Sequence, residues 1–134
     1  MTAYIGIDPG REGALAIFLP EPHAYHVFDL PFIGKDLDIQ QVKRLIPSGE
    51  LRAVVEAAQV MPKQGGVSGF TIGYGYGQIT GLLLGMGIPF ETVRPATWKR
   101  AMGIPPKSDK SMSVQMARRL FPSAELTTPR GKLL

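Results

Sequence analysis

The stretch Tyr4-Ile5-Gly6-Ile7-Asp8-Pro9-Gly10 decides how this chain folds. Tyr4, Ile5 and Ile7 are the β-branched and aromatic residues that suit a pleated, half-buried strand, and Pro9-Gly10 stops the strand and turns the chain. Asp8 is thereby left at a strand end. A second short apolar run, Ala14 to Leu19, follows the turn, so the two form a hairpin whose first strand carries a carboxylate. An Asp before a turn most often does no more than bond nearby amides. What raises Asp8 above that is a repeat of the pattern. Leu51-Arg52-Ala53-Val54-Val55-Glu56 is another apolar run that ends in an acid, and it reads as a strand buried on one face or both.

Between these runs, Ala24 to Leu30 alternates loosely and ends at Pro31, as the third strand of a meander would. Asp38 is placed to cap a helix over 39–45, with Ile39, Val42 and Leu45 or Ile46 on one face, before Pro47-Ser48-Gly49 breaks it. Residues 57–69 contain Pro62, Lys63, Gln64 and Gly65-Gly66, which mark a loop. Ser68 is the expected cap of a helix reaching Met86, with Ile72, Tyr76, Ile79, Leu83 and Met86 on one face. Gly73, Gly77, Gly81 and Gly85 form a second stripe on it. Each glycine costs about 1 kcal/mol against alanine in a helix, so the stripe points either to close approach by another helix or to a stretch that is partly loop. A strand over 89–93, a short helix over 96–102 bearing Trp98, Lys99 and Arg100, and a helix from Lys110 to Phe121 capped by Ser108 or Asp109 complete the pattern. On that last helix, Met112, Met116 and Leu120 are the expected buried face, and Lys110, Arg118 and Arg119 point outward. Ala124 to Leu134 reads as loop. The resulting order, β-β-β-α-β-α-β, describes one α/β domain over residues 1–134: three antiparallel strands, then parallel crossovers.

Composition limits the chemistry. The chain has 134 residues, 44% of them hydrophobic, which is enough for a core in one domain. No apolar run reaches the ~18 residues of a membrane span, and the N-terminus lacks the charged and apolar regions of an export signal. With no cysteine and two histidines, thiolate catalysis and cysteine-ligated zinc are excluded and a histidine-rich metal site is disfavoured. The net charge of +4 conceals an asymmetry. Residues 1–93 carry six Lys or Arg against nine acids, whereas residues 94–134 carry nine against two. A basic block beside a mildly acidic body suits a polyanion, because Lys and Arg on phosphates release counterions; a solvated basic face is the alternative.

Two carboxylates brought together at neighbouring strand ends repel, and a divalent cation removes that repulsion. Ligation by oxygen alone suits Mg²⁺, or Mn²⁺ in its place. Mg²⁺ takes one or two protein carboxylates, keeps several waters and completes its shell with substrate phosphate, as in a phosphodiester hydrolase.

Four ordered motifs carry a resemblance: Ile5 to Gly10, Val54-Val55-Glu56, Arg94-Pro95-Ala96-Thr97-Trp98-Lys99, and Lys107-Ser108-Asp109-Lys110-Ser111 with the helix after it. Together they resemble the RuvC family of Holliday junction resolvases over nearly the whole chain. Gly69-Phe70, Gly73-Tyr74-Gly75 and Trp98-Lys99-Arg100 are closest to a branch with bacterial, phage and plastid members. The resemblance implies an RNase H-like fold with a mixed five-stranded sheet, a homodimer, and Mg²⁺-dependent nicking of four-way junction DNA in recombination and repair. Asp8 and Glu56 match two metal ligands of the family. Lys99 and Lys110 match lysines near the scissile backbone, and Phe70 falls in the region that enters the junction centre. Lys63, Phe70, Lys99, Arg100, Lys107 and Lys110 are the expected DNA contacts, and Gly73, Gly77 and Gly81 the expected dimer interface. A bacterial or phage-infected cytoplasm or a plastid is the implied compartment, with neither a membrane nor a small-molecule substrate. The family's last helix adds two more acids, and Asp109 and Glu125 match neither; the expectation is a chain lacking that helix. Two rivals remain. A kinase-like ATPase opens on a similar hairpin but needs a second such domain, and a junction-binding protein without nuclease activity fits a site short of two acids.

Overall fold

The computed structural model describes residues 1–58, 62–63 and 65–126. Its main sheet has five strands in the order β3-β2-β1-β6-β7. The first three, β1 (Thr2–Asp8), β2 (Ala14–Leu19) and β3 (Ala24–Asp29), form the antiparallel meander, with Ile5 opposite Ile17 and Ile17 opposite His26. A two-stranded hairpin, β4 (Phe32–Ile33) and β5 (Asp36–Leu37), comes next and was not expected from the sequence. Helix α1 (Ile39–Leu45) then crosses to β6 (Glu50–Glu56), which lies parallel to β1 with Thr2 paired to Glu50 and Ile7 to Val55. Helix α2 (Gly66–Gly85) crosses to β7 (Phe90–Val93), parallel to β6, and α3 (Pro95–Ala101) and α4 (Lys110–Leu120) follow.

Strict alternation assigns the faces of the sheet. Ile5, Ile7, Leu15, Ile17, Ala53 and Val55 are buried with Val42 of α1 and Ile79 and Leu83 of α2, so α1 and α2 cover that face. The opposite face begins as an aromatic row: Tyr4, Phe18 and Tyr25 stack across β1, β2 and β3 at centroid separations of 6.3 and 5.1 Å. Phe121, just past α4, closes the row edge-on against Tyr25 at 4.8 Å.

Two expectations are corrected, and one choice between alternatives is decided. Ser68 lies inside α2, whose N-cap is Gly65 with no side-chain bond; the helix begins at Gly66, three residues before the start that a Ser68 cap would set. The Gly73-Tyr74-Gly75-Tyr76-Gly77 segment is helix throughout, since burial of Ile79 and Leu83 outweighs glycine propensity. On α4 the buried residue is Val114; of the expected face Met116 is half-buried, whereas Met112 and Leu120 are 37% and 45% exposed. The buried stripe runs through Val114 and Ala117 toward Phe121, because that ring packs on the aromatic row and sets the rotation of the helix. Asp109 is the α4 cap, its carboxylate accepting from the Ser111 amide at 2.9 Å and from the Ser111 hydroxyl. Those bonds to the ionised form hold its carboxyl below the usual range. Residues 59–61 and 64 of the expected loop, and residues 127–134 at the chain end, lie outside the described residues.

Candidate active site

Parallel pairing of β1 with β6 builds the site. Because Ile7 pairs with Val55, one step further along each strand sets Asp8 beside Glu56, both on the face opposite the α1/α2 core. Both line one cavity of about 380 Å³ at the strand ends. Its other walls come from the β1–β2 turn (Pro9, Gly10, Arg11), the small hairpin (Phe32, Lys35), the start of α2 (Thr71, Ile72, Gly75) and Pro95.

Each carboxylate has one oxygen fixed by an N–H. Asp8 Oδ1 accepts from the Gly10 amide at 3.0 Å, the turn bond that such an aspartate ordinarily makes. Glu56 Oε2 accepts from the Trp98 indole Nε1 at 2.8 Å. Trp98 reaches it because β6 and β7 continue pairing past Glu56, the Ala57 amide donating to the Val93 carbonyl at 2.7 Å, and Arg94-Pro95 turns directly from β7 into α3. One oxygen of each acid is thus oriented and the other is left for a ligand, the arrangement that outer partners give to metal-binding carboxylates. Two oxygen ligands side by side suit one hard divalent cation with waters and substrate in its other positions. Among the described residues no group of three or more His, Cys, Asp or Glu could hold a metal, so Asp8 and Glu56 stand as a pair.

The expected lysines stand at different places. Lys99, half-buried on α3, has its ammonium 5.7 Å from the centroid of the Trp98 ring, beside the residue that orients Glu56. Lys110 is exposed at the first residue of α4. Neither lines the cavity, whereas Arg11 and Lys35 do. Lys63, Arg100 and Lys107 are exposed. Phe70 is 71% exposed near the start of α2, one ring face stacked on Tyr74 at 5.7 Å and 9°. The Tyr74 hydroxyl in turn donates to Asp36 Oδ1 at 2.6 Å, and holding that proton beside a carboxylate raises the phenol above its usual range. Sequence reasoning missed Trp98 as the partner of Glu56, although an indole N–H beside a candidate lysine needs an acceptor. Arg11 and Lys35 gave no such signal.

Solved structures share this fold. RuvC of Thermus thermophilus matches with a TM-score of 0.58 over 90% of this chain and 80% of that one, at 17% identity. The fold is that of RuvC. The T. thermophilus RuvC in complex with Holliday junction substrate matches at a TM-score of 0.61 and 15% identity, covering 91% of this chain and 80% of that one. In sequence, the Holliday junction resolvase MOC1, chloroplastic, of Chlamydomonas reinhardtii is 33% identical over 86 residues, which is 60% of this chain and 10% of that protein. The match therefore spans about a tenth of that relative's length. No family model matches the sequence. Both likenesses agree with the resemblance carried by the four motifs, and the RuvC fold supplies the RNase H-like mixed sheet that the strand order predicts. No helix among the described residues is long and apolar enough to cross a membrane.

Proposed function

We propose that this chain is a structure-selective endonuclease that cuts four-way DNA junctions by hydrolysing phosphodiesters, in recombination and repair. The observation that carries the reading is the pairing of Asp8 and Glu56 at neighbouring parallel strand ends of a RuvC fold, in one cavity. The ligand of that T. thermophilus structure, Holliday junction substrate, and the name of the C. reinhardtii relative supply the substrate class. Asp8 and Glu56 would hold Mg²⁺, or Mn²⁺, which when bound activates water and offsets charge on the leaving oxygen. Gly10 and Trp98 keep the two acids in place without adding charge. Lys99 and Lys110, outside the cavity lining, would meet the DNA backbone beside the scissile phosphate, and Phe70 offers its free ring face to an unstacked base. The compartment is a bacterial or phage-infected cytoplasm or a plastid, the last supported by the chloroplastic relative. The test is a labelled four-way junction: single nicks near the crossover with Mg²⁺, and intact DNA with chelator, support the reading. A second reading, junction binding without cleavage, is favoured by the two-carboxylate site among the described residues. Gel shifts without nicks would select it.

A homodimer through α2 belongs to the same proposal. A Cβ placed at Gly73, Gly77, Gly81 or Gly85 meets nothing within 4 Å, so the stripe faces open space in this chain and is shaped for a helix from a second copy. Gly77→Leu is expected to separate the subunits in sedimentation with the fold intact, since a leucine fills the approach that hydrogen leaves open; a dimer of unchanged affinity would remove α2 from the interface. Lys99→Ala and Lys110→Ala are each expected to weaken junction binding several-fold and to reduce the salt slope by about 1 if each meets one phosphate. Unchanged slopes and rates would place both lysines away from DNA.

A further inference from the structure

The β4–β5 hairpin has two residues per strand and pairs with no strand of the main sheet. A hairpin this small does not hold itself together in water. Here it is tied from three sides. Arg11 Nη2, in the β1–β2 turn, donates to the Gly34 carbonyl at 3.0 Å. The Leu37 amide donates to Gln78 Oε1 of α2 at 3.2 Å, and Tyr74 of α2 donates to Asp36 at 2.6 Å. Its base is closed by the Asp38 amide donating to the Pro31 carbonyl at 2.9 Å. The turn is Gly34-Lys35, and Gly34 sits in the left-handed region at φ 63°. The result is a fixed tip whose lysine lines the same cavity as Asp8 and Glu56. Burial does not account for Lys35, because the side chain is exposed and the hairpin contributes one buried residue, Leu37, to the core. An ammonium on a flexible four-carbon stem is a point charge suited to a phosphate oxygen. Arg11, its guanidinium already committed to the Gly34 carbonyl, positions the tip.

We propose that Lys35 is a phosphate-contacting residue of the Asp8/Glu56 cavity and that the anchored β4–β5 hairpin serves to hold it against the nucleic-acid backbone beside the scissile bond. This rests on the endonuclease reading for the identity of the scissile bond, but the contact itself is to any DNA backbone. The test measures affinity against salt for the full chain, with a four-way junction and with a linear duplex, in chelator so that cleavage does not intervene. Lys35→Gln should weaken binding about three- to tenfold at low salt and reduce the slope by about 1, the loss of one phosphate contact. Lys35→Arg should restore both. Lys43→Gln removes the same charge from α1, on the covered side of the sheet, and should leave the slope unchanged. Tyr74→Phe removes only the hydroxyl bonded to Asp36, and should lower affinity less while keeping the slope. An unchanged slope for Lys35→Gln, or an equal change for Lys43→Gln, overturns the proposal. Tight duplex binding without junction preference would overturn the substrate reading and leave Lys35 standing if its slope falls; a chain that binds neither DNA overturns both.

Discussion

Asp8→Asn should abolish nicking of a four-way junction while junction affinity in chelator stays within about twofold. The substitution keeps an oxygen that can accept from the Gly10 amide, so the turn after β1 survives, and removes the charge that faces the cavity. A divalent cation contributes several kcal/mol of charge stabilisation, and about 4 kcal/mol is a factor of about 10³ in rate. Glu56→Gln should behave alike, because its amide oxygen can still accept from the Trp98 indole. Neither variant should melt earlier than the parent, since each removes one of two neighbouring like charges and no apolar contact. Nicking rates under single-turnover conditions, with melting temperature as the control, check this; Mg²⁺-dependent cleavage that survives either substitution would put the chemistry elsewhere on the molecule.

Gly13→Ala is expected to damage the fold itself. A Cβ at this position would stand 1.9 Å from the Asp8 carbonyl oxygen and 2.7 Å from that of Gly10, both backbone atoms that cannot rotate away. Gly13 is buried in the turn between β1 and β2, where its amide donates to the Gly10 carbonyl at 2.8 Å and its own carbonyl accepts from the Leu30 amide at 3.1 Å. Making room for one methyl means opening the turn and breaking these bonds. The loss should be about 2–4 kcal/mol, in the range of strained or overpacked buried positions. Denaturant unfolding reads it directly, and the same displacement would carry Asp8 away from Glu56. Gly10→Ala meets only the Asp8 Oδ1 atom, at 3.3 Å, and should be much milder. Equal stabilities for the two variants would mean that the turn yields easily.

The sequence disclosed the strands because their alternation has period two and their ends carry Pro, Gly or an acid, as at Asp8-Pro9-Gly10 and Glu56. It disclosed the two carboxylates because apolar runs that end in an acid are unusual enough to compare with one another. Register was only partly legible: alternation in residues 2–8 and 50–56 excludes a one-residue slip, but nothing in either run states that Ile7 lies opposite Val55. The β4–β5 hairpin escaped because strands of two residues have no periodicity, and it is held by Arg11, Tyr74 and Gln78 from distant parts of the chain. The buried side of α4 was misassigned for a related reason. Methionines at helical spacing predicted one face, and aromatic contacts beyond the helix end, Phe121 on Tyr25 and Phe18, favour another.

Pairing between β1 and β6 has one more effect, on fidelity of assembly. The two acids come from strands 48 residues apart in the chain, and side chains alternate faces at every step. Were β6 to slip by one residue against β1, Glu56 would turn toward the helices and Val55 would leave them, so the slipped sheet would lose its core and its acid pair together. A cation that needs both carboxylates therefore binds the correct register and no neighbouring one. If the proposed cation site holds, cation binding at this point would act as a check on how the sheet was put together: a misassembled copy of the chain would lack the paired acids.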